Sequence, residues 1–592
     1  MRTFVVRSIL WIPARVAGLV PQRPPALPVS DVHFVLAVSL VWAGLCNGAF
    51  WSQIFETMWH PALHSALFVG SLFVFVVTLQ SLLLLWLPRS LLRPAASVLF
   101  IVAAASGYFC SSYGAVMNQD MMRNVLQTDA AEADALLSLK FAMYLLVLGV
   151  VPAALVWRVR IEHTSWRTEV RRRLIFLVTA LAVSAAGLFS SSADYAVFFR
   201  EHKPVRYMLI PAAPVTSLVG LLVHREHARG PLLNPAGRSE RLASMASKPT
   251  VLFLVVGETA RAANFSLGGY PRPTNARLQQ MPDLIYFDQV SSCGTATAVS
   301  LPCMFSPFPR REFRVDEADR YTNLLDALVD AGIDVQWRDN DSGCKGVCAR
   351  VQTVSYGDQA TQRRCAGGHC FDNVMLEDLP QRLREIRTDT VIVMHQIGSH
   401  GPAYAQRYPT EEARFAPACG SNELQTCSHE EIVNAYDNTI VNTDGFLSRA
   451  IELLQRNSDR LNGLMIYVSD HGESLGEQGL YLHGVPYAFA PKVQKEVPFI
   501  LWTSAGYRRQ TNLDNECLRT HRGDPLSHDN VYHTVLGALQ TRNAMYDAAL
   551  DAMAPCRNAS SHSRQFAQAE HERQAGGSSV ATSAPSVNGT NR

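Results

Sequence analysis

The stretch Leu464-Met465-Ile466-Tyr467-Val468-Ser469-Asp470-His471-Gly472-Glu473 decides how this chain reads. A short apolar run breaks off into an acid, an imidazole and a second acid. Two other runs end in a similar way. Val251–Val256 leads into Gly257 and Glu258, and Val391–Met394 leads into His395, Gly398, Ser399 and His400. Runs this short, rich in Val, Ile and Leu, have the character of strands buried on both faces of a parallel sheet. In an open α/β sheet the ligand crevice lies beyond the carboxyl ends of the strands. Glu258, His400, Asp470 and His471 are therefore expected to converge at one place, and carboxylates with imidazoles suit zinc. An Asp–His pair directly after a strand is costly to bury unless it has partners. His395 is expected in the core or behind the ligands.

A metal centre needs a group to activate. Ser292-Cys293-Gly294-Thr295-Ala296-Thr297-Ala298-Val299-Ser300 supplies hydroxyls in quick succession. A free threonine hydroxyl is a weak nucleophile, and a bound divalent cation lowers the pKa of a coordinated oxygen. Thr297 falls near the start of a helical stretch, where backbone N–H groups favour a phosphate. The ordinary use of hydroxyls here is as caps and turn formers, and spacing alone leaves both Thr295 and Thr297 open.

The rest of the chain gives this site a setting. A length of 592 residues exceeds one ordinary domain, and a net charge of +2 gives no basis for a nucleic-acid partner. Long apolar runs crowd into the first 200 residues. Five candidate spans follow: Phe34–Trp51, Leu63–Leu87, Ser97–Met117, Leu139–Trp157 and Leu174–Ser191, each of roughly the ~20 apolar residues a bilayer requires. Arg2, Arg7, Arg15, Arg23, Arg89, Arg93, Arg158, Arg160, Arg167, Arg171, Arg172 and Arg173 lie on one side of these spans, against Arg123 on the other. The positive-inside rule puts the N-terminus in the cytoplasm and, after five spans, the C-terminal half outside.

Cysteine usage agrees. Of twelve cysteines, Cys46 and Cys110 fall in spans and ten in the outer half. Their close pairs suit disulfides in an oxidising compartment: Cys293–Cys303, Cys344–Cys348, Cys365–Cys370 and Cys419–Cys427, leaving Cys517–Cys556. Structural zinc is the weaker reading, since no second Cys or His pair stands at finger-like distance.

The expected organisation is a cytoplasmic lead at 1–30, a membrane domain at 31–191 and a membrane-surface linker at 192–248. A catalytic domain at 249–556 and a disordered tail at 557–592 complete it. The linker carries an apolar stretch, Val215–Val223, too short to span. In the catalytic domain helical stretches such as Asn323–Ala331 and Ile432–Leu454 alternate with strands, which implies an α/β domain with helices on both faces. The loop Asn118–Ser138 reads as one amphipathic helix, with Asn124, Thr128 and Glu132 on a shared face.

The chain resembles the phosphoethanolamine transferases of Gram-negative bacteria, a family that includes lipid A enzymes and mobile colistin-resistance enzymes. The matching stretches are GET at 257–259, SSCGTATAVSLPCMFS at 291–306, DNDSGCKGVCARV at 339–351, HQIGSHGPAY at 395–404, NAYDN at 434–438, VSDHGESLGE at 468–477 and YLHG at 481–484, together with NVLQTDAAE at 124–132. The resemblance covers about residues 30–556. It implies a five-helix transmembrane domain joined to a periplasmic α/β/α domain of the alkaline phosphatase/sulfatase-like fold, at the bacterial inner membrane. It implies one or two zinc ions, with Glu258, Thr297, Asp470 and His471 as ligands and Thr297 as nucleophile. Lys345, His400 and His483 would shape the phosphate and substrate site, the two histidines holding a second zinc in some members. Asn124, Thr128 and Glu132 would contact the donor.

The expected reaction moves phosphoethanolamine from phosphatidylethanolamine to a phosphate of lipid A through a phosphothreonine, releasing diacylglycerol. His400 or His483 would protonate the leaving oxygen. A less negative outer surface binds cationic peptides such as polymyxin less well. Competing readings are transfer to core sugars, another enzyme of the same fold, and a non-catalytic lipid-binding membrane protein. A sulfatase is disfavoured because Cys293 and Cys303 lead no Cys/Ser-x-Pro-x-Arg motif.

Overall fold

The computed structural model describes residues 28–59, 63–128, 130–227, 230–242, 248–356, 365 and 370–557, and it divides into two compact units. The lead before residue 28 and the tail after 557 lie outside the described residues. The division does not follow the chain: residues 108–142 belong with the catalytic unit although membrane helices flank them on both sides.

In the first unit, Ser65–Leu85, Arg89–Tyr113, Leu139–Val156 and Trp166–Ser190 are long and apolar enough to cross a bilayer. The first candidate span is instead a bent pair, Asp31–Cys46 and Gly48–Met58, meeting at 63°. Asn47 sits at the break. Its amide nitrogen donates to the Trp42 carbonyl at 2.8 Å and the Ile210 carbonyl at 2.6 Å, and its oxygen accepts from Ile210 N at 2.8 Å. The Trp42 carbonyl at the bend, and the Ile210 backbone beside it, are thus satisfied without water, as hydrocarbon requires. Only 6% of the apolar window of Trp166–Ser190, and 11% of that of Leu139–Val156, is buried against the protein. Helices apolar all round yet uncovered are stable only in lipid, so this is a membrane protein. Arg173 ties three helices together, pairing with Asp31 at 2.6 Å and donating to the Leu85 and Leu87 carbonyls.

In the second unit the loop expected as one helix is two, α1 (Gln119–Gln127) and α2 (Ala130–Leu136). The break has a local cause. Thr128 is extended, and both its N–H and its hydroxyl donate to the Asn124 carbonyl, at 2.8 and 2.9 Å. A threonine that back-bonds in this way competes with helix continuation. Asn124, Thr128 and Glu132 therefore do not form one unbroken stripe, and the Glu132 side chain lies outside the described residues.

The catalytic unit is built on a seven-stranded sheet of β1 (Thr250–Gly257), β2 (Leu284–Phe287), β3 (Asp334–Asp339), β4 (Gln352–Ser355), β5 (Thr390–His395), β6 (Asn462–Ser469) and β7 (Phe499–Thr503), in the order β2-β7-β6-β1-β5-β3-β4. The three apolar runs are the adjacent parallel strands β6, β1 and β5. Alternate residues feed two cores. Leu252, Leu254, Val256, Leu464, Ile466 and Val468 face one, while Val251, Phe253, Val255, Met465 and Tyr467 face the other. That double burial is why the runs are continuous rather than alternating. Helices α3 (Thr297–Met304) and α5 (Asp529–Ala538) cover the first face, and α4 (His429–Arg456) the second. A capping box between Ser428 and Glu431 starts α4. The stretches expected to be helical at 323–331 and 432–454 are helices Leu324–Asp330, capped by Asn323, and α4.

Candidate active site

Register brings the acids together. Ser469 pairs with Gly257 and Val468 with Val256, so the next residues, Asp470 and Glu258, emerge side by side. Asp470 Oδ1 accepts from Thr259 N at 3.1 Å and from His471 N at 2.7 Å. Thr259 occupies the left-handed region at φ 58°, and the Tyr436 hydroxyl donates to its carbonyl at 2.7 Å. A non-glycine residue persists there only where its surroundings hold it. Gly398, at φ +49°, lets the His400 loop press on the Glu258 backbone, since a Cβ would come within 2.7 Å of the Glu258 carbonyl oxygen.

Thr297 is the first residue of α3. Its hydroxyl lies 3.2 Å from each Glu258 carboxylate oxygen and 3.3 Å from His471 Nε2. The Thr295 hydroxyl instead donates to the Val485 carbonyl at 2.7 Å. Geometry thus separates two threonines that spacing left equivalent. His528 staples the two loops: its Nε2–H donates to the Ser469 carbonyl at 2.9 Å, and its Nδ1 accepts from Cys293 N at 3.1 Å. Burial lowers its pKa to about 4, in keeping with a neutral ring that donates once and accepts once.

The donor set fits a cation. With Nδ1–H donated to the Gly472 carbonyl at 2.9 Å, His471 presents the lone pair of Nε2 3.2 Å from Asp470 Oδ2 and 3.5 Å from Glu258 Oε1. Asp470 Oδ2 is buried and has no hydrogen-bond partner. Ligand atoms of Glu258, Asp470 and His471 lie within 4.8 Å of one another. Burial, and then the neighbouring Asp470, raises the Glu258 carboxyl well above its ordinary value, and burial pushes Asp470 up to about 7. Burial, and then His483, holds His471 well below its usual range. Carboxyls forced to hold a proton by burial, with an imidazole lone pair beside them, suit a divalent ion that displaces that proton.

Around this centre, the His483 ring lies tilted 4.3 Å from His471 and edge-on 5.5 Å from His400 between ring centroids. Burial, followed by His483, Arg407 and Lys345, holds His400 well below the usual histidine range. His395 is buried with Nδ1 3.3 Å from Asp339 and Nε2 3.7 Å from Asp341. Burial opposes its charge, but Asp339, Asp341 and Glu258 together outweigh burial and the pKa rises to about 9. Lys345 Nζ donates to the Ser342 carbonyl and hydroxyl, at 3.0 and 2.7 Å, rather than reaching Thr297. Helix α1, which carries Asn124 and is capped by Thr128, packs on α3, and Met121 near its start abuts Gly484 in the His483 loop. The ten outer cysteines form the five expected disulfides.

Glu473 was not singled out by sequence, though it closes the stretch that opened the reading. It is fully buried, meeting His483 Nδ1 at 3.0 Å and accepting from the Tyr404 hydroxyl at 2.9 Å. Its position two residues after His471 was the available signal. Glu473→Gln is expected to lower kcat by about tenfold to a hundredfold, as losses of ligand-orienting carboxylates do, with little change in KM; steady-state kinetics check the split. Asp437, in the NAYDN stretch, is structural: it meets Arg272, Asn264 and Tyr270.

A sulfatase-type α/β domain with a threonine among metal-type ligands, carried on apolar membrane helices, defines a class of membrane-bound phosphoryl-transfer enzymes. A sulfatase family profile matches residues 250–541, and the profile of phosphoethanolamine transferases EptA/EptB matches residues 35–225. Phosphoethanolamine transferase EptA of Escherichia coli K12 is 38% identical over 539 residues, spanning 89% of this chain and 97% of the relative. Phosphatidylethanolamine transferase Mcr-1 of Escherichia coli is 37% identical, over 86% and 94%. The solved structure of lipooligosaccharide phosphoethanolamine transferase A from Neisseria meningitidis superposes with a TM-score of 0.86 at 33% identity, covering 90% of this chain and 99% of that one. The chain belongs to the phosphoethanolamine transferase family.

Proposed function

We propose that this enzyme moves phosphoethanolamine from phosphatidylethanolamine to a phosphate of lipid A, with Thr297 as nucleophile and zinc as cofactor. The observation that carries the reading is the Thr297 hydroxyl held at 3.2–3.3 Å by Glu258 and His471, beside the unbonded Oδ2 of Asp470. Glu258, Thr297, Asp470 and His471 would hold the zinc ion. When bound, it neutralises charge on the transferring group and lowers the pKa of the threonine hydroxyl.

Thr297 Oγ forms a bond to phosphorus as the bond from phosphorus to the diacylglycerol oxygen breaks. Thr297 passes its proton to the Glu258 carboxylate to which its hydroxyl donates, and His483 gives one to the departing oxygen. Glu473 stabilises the protonated ring, whereas the low pKa of His400 suits it to a neutral, substrate-facing role. A lipid A phosphate oxygen then attacks phosphorus and its proton recharges His483, while Thr297 leaves and takes its proton back from Glu258, and phosphoethanolamine sits on the acceptor. Backbone N–H groups at the start of α3 face the transferring phosphate. Asn124, Thr128 and Glu132 hold the donor beside the membrane.

The same reading counts the bent helix pair as one span, giving five. It places the N-terminus in the cytoplasm, the catalytic unit in the periplasm and the protein in the inner membrane of a Gram-negative cell. One-sided arginines and five disulfides in the catalytic unit support it. Incubating the purified protein with phosphatidylethanolamine and no acceptor should leave phosphoethanolamine on the peptide containing Thr297. Diacylglycerol release without that adduct would remove the covalent step.

A further inference from the structure

A second set of metal-type side chains stands on the other side of Glu258. Register puts it there. Strand β1 lies between β6 and β5, and β3 follows β5. Val256 pairs with His395, and His395 with Asp339. Glu258 therefore leaves the sheet with Asp470 and His471 to one side, and with His395 and the Asp339–Asp341 turn to the other. One ligand atom from each of Glu258, Asp341 and His395 lies within 4.8 Å of the other two. Glu258 and His395 are fully buried, and the Asp341 side chain is 1% exposed.

The spacing of this trio is that of a cation site rather than of a hydrogen-bonded core. Neither ring nitrogen of His395 makes a hydrogen bond, although burying an imidazole without one is costly. Its Nε2 lies 3.7 Å from Asp341 Oδ2. That is too long for a hydrogen bond, and within the roughly 3 to 4 Å that separates two atoms sharing one divalent ion. On the far side of the ring, Nδ1 faces Asp339 Oδ1 at 3.3 Å. A carboxylate behind an imidazole is the arrangement that fixes the tautomer of a metal-bound histidine. With the proton on Nδ1 toward Asp339, the Nε2 lone pair points at Asp341 and Glu258. Asp341 is supported as well, since the Ser342 hydroxyl donates to its Oδ2 at 3.3 Å.

We propose that Glu258, Asp341 and His395 form a second divalent-cation site that shares Glu258 with the first, and that an ion bound there restrains transfer. The inference rests on the zinc reading of the first site. It uses neither His400 nor His483. Two carboxylates and one imidazole suit manganese as well as zinc. With three protein ligands, one of them shared, this position fills after the four-ligand centre and more weakly. Glu258 takes the Thr297 proton in the reaction proposed above. A second ion on that carboxylate competes for the same lone pairs, so its binding slows the attack by Thr297.

The test titrates the zinc-loaded, full-length protein with manganese. Electron paramagnetic resonance counts the free manganese, bound zinc is measured in parallel, and diacylglycerol release from phosphatidylethanolamine is followed. The wild type should take up one manganese ion without losing zinc, and release should slow as manganese binds. Asp341→Asn keeps the side chain's shape and removes its charge, and His395→Gln removes the ring. Each should bind manganese about tenfold more weakly or worse, whereas His483→Ala should bind it as the wild type does. A wild type that takes up no manganese, or takes it up only as zinc leaves, overturns the second site. So does manganese binding by Asp341→Asn as tight as that of the wild type. Manganese that binds but leaves release unchanged overturns the restraining role. A wild type that never holds zinc overturns the first centre and, with it, this one.

Discussion

Thr297→Ala is expected to reduce phosphoethanolamine transfer by on the order of 10³-fold or more, the scale seen when a covalent nucleophile is removed. The fold should be almost untouched. The hydroxyl lies 3.2–3.3 Å from its neighbours and caps nothing, since Ala296 is the N-cap of its helix. Stability should stay within about 1 kcal/mol of wild type, so a large kinetic loss cannot be assigned to unfolding. Thr297→Ser keeps an oxygen in reach and should retain part of the activity. Diacylglycerol release and thermal melts on the three proteins check this. Turnover by the alanine variant within tenfold of wild type would falsify a role for Thr297 as nucleophile.

Asp470→Asn should abolish zinc binding and yet stabilise the metal-free protein. In the absence of metal, burial raises Asp470 from an ordinary 3.8 to about 7. A carboxyl whose folded value lies above its unfolded one loses stability as pH rises between the two values. His395, raised from 6.5 to about 9, acts in the same direction: its contribution is full below pH 6.5 and lost through pH 9. The metal-free wild type should therefore weaken from about pH 4 upward. Asparagine keeps an oxygen for Thr259 N and His471 N but carries no charge, so it escapes the Asp470 part of that loss. Melts of metal-free protein should coincide near pH 4 and favour Asp470→Asn by about 5 °C at pH 8. Zinc should raise the wild-type Tm, increasingly with pH because ligation displaces protons, and leave the variant unmoved. A variant that still gained stability from zinc would show that Asp470 is not a ligand.

The centre of the fold was legible because its strands are buried on both faces. Nothing but apolar runs fits between two cores, and the abrupt change at Glu258 and Asp470 marks where β1 and β6 leave the sheet. Register then brought these acids together without further information. Thr297 was not separable from Thr295 by pattern, because that choice depends on a loop carbonyl, Val485, about 190 residues away. Tyr404 and Tyr436 escaped notice for a like reason: an aromatic that fills a core and also donates one hydrogen bond carries no distinct sequence signal. The outer loop was read as a continuous helix from periodicity, and one threonine bonding back to Asn124 was enough to break it. The bend at Asn47 had no apolar signature either, since both arms are hydrophobic.

Mass spectrometry of lipid A from an unmodified Gram-negative host, expressing either this chain or its Thr297→Ala variant at equal level, tests the central claim most directly. A phosphoethanolamine increment on lipid A with the native chain, absent with the variant, is the predicted result. Lipid A unchanged by the native chain, with the increment found on core sugars or nowhere, would contradict lipid A as the acceptor.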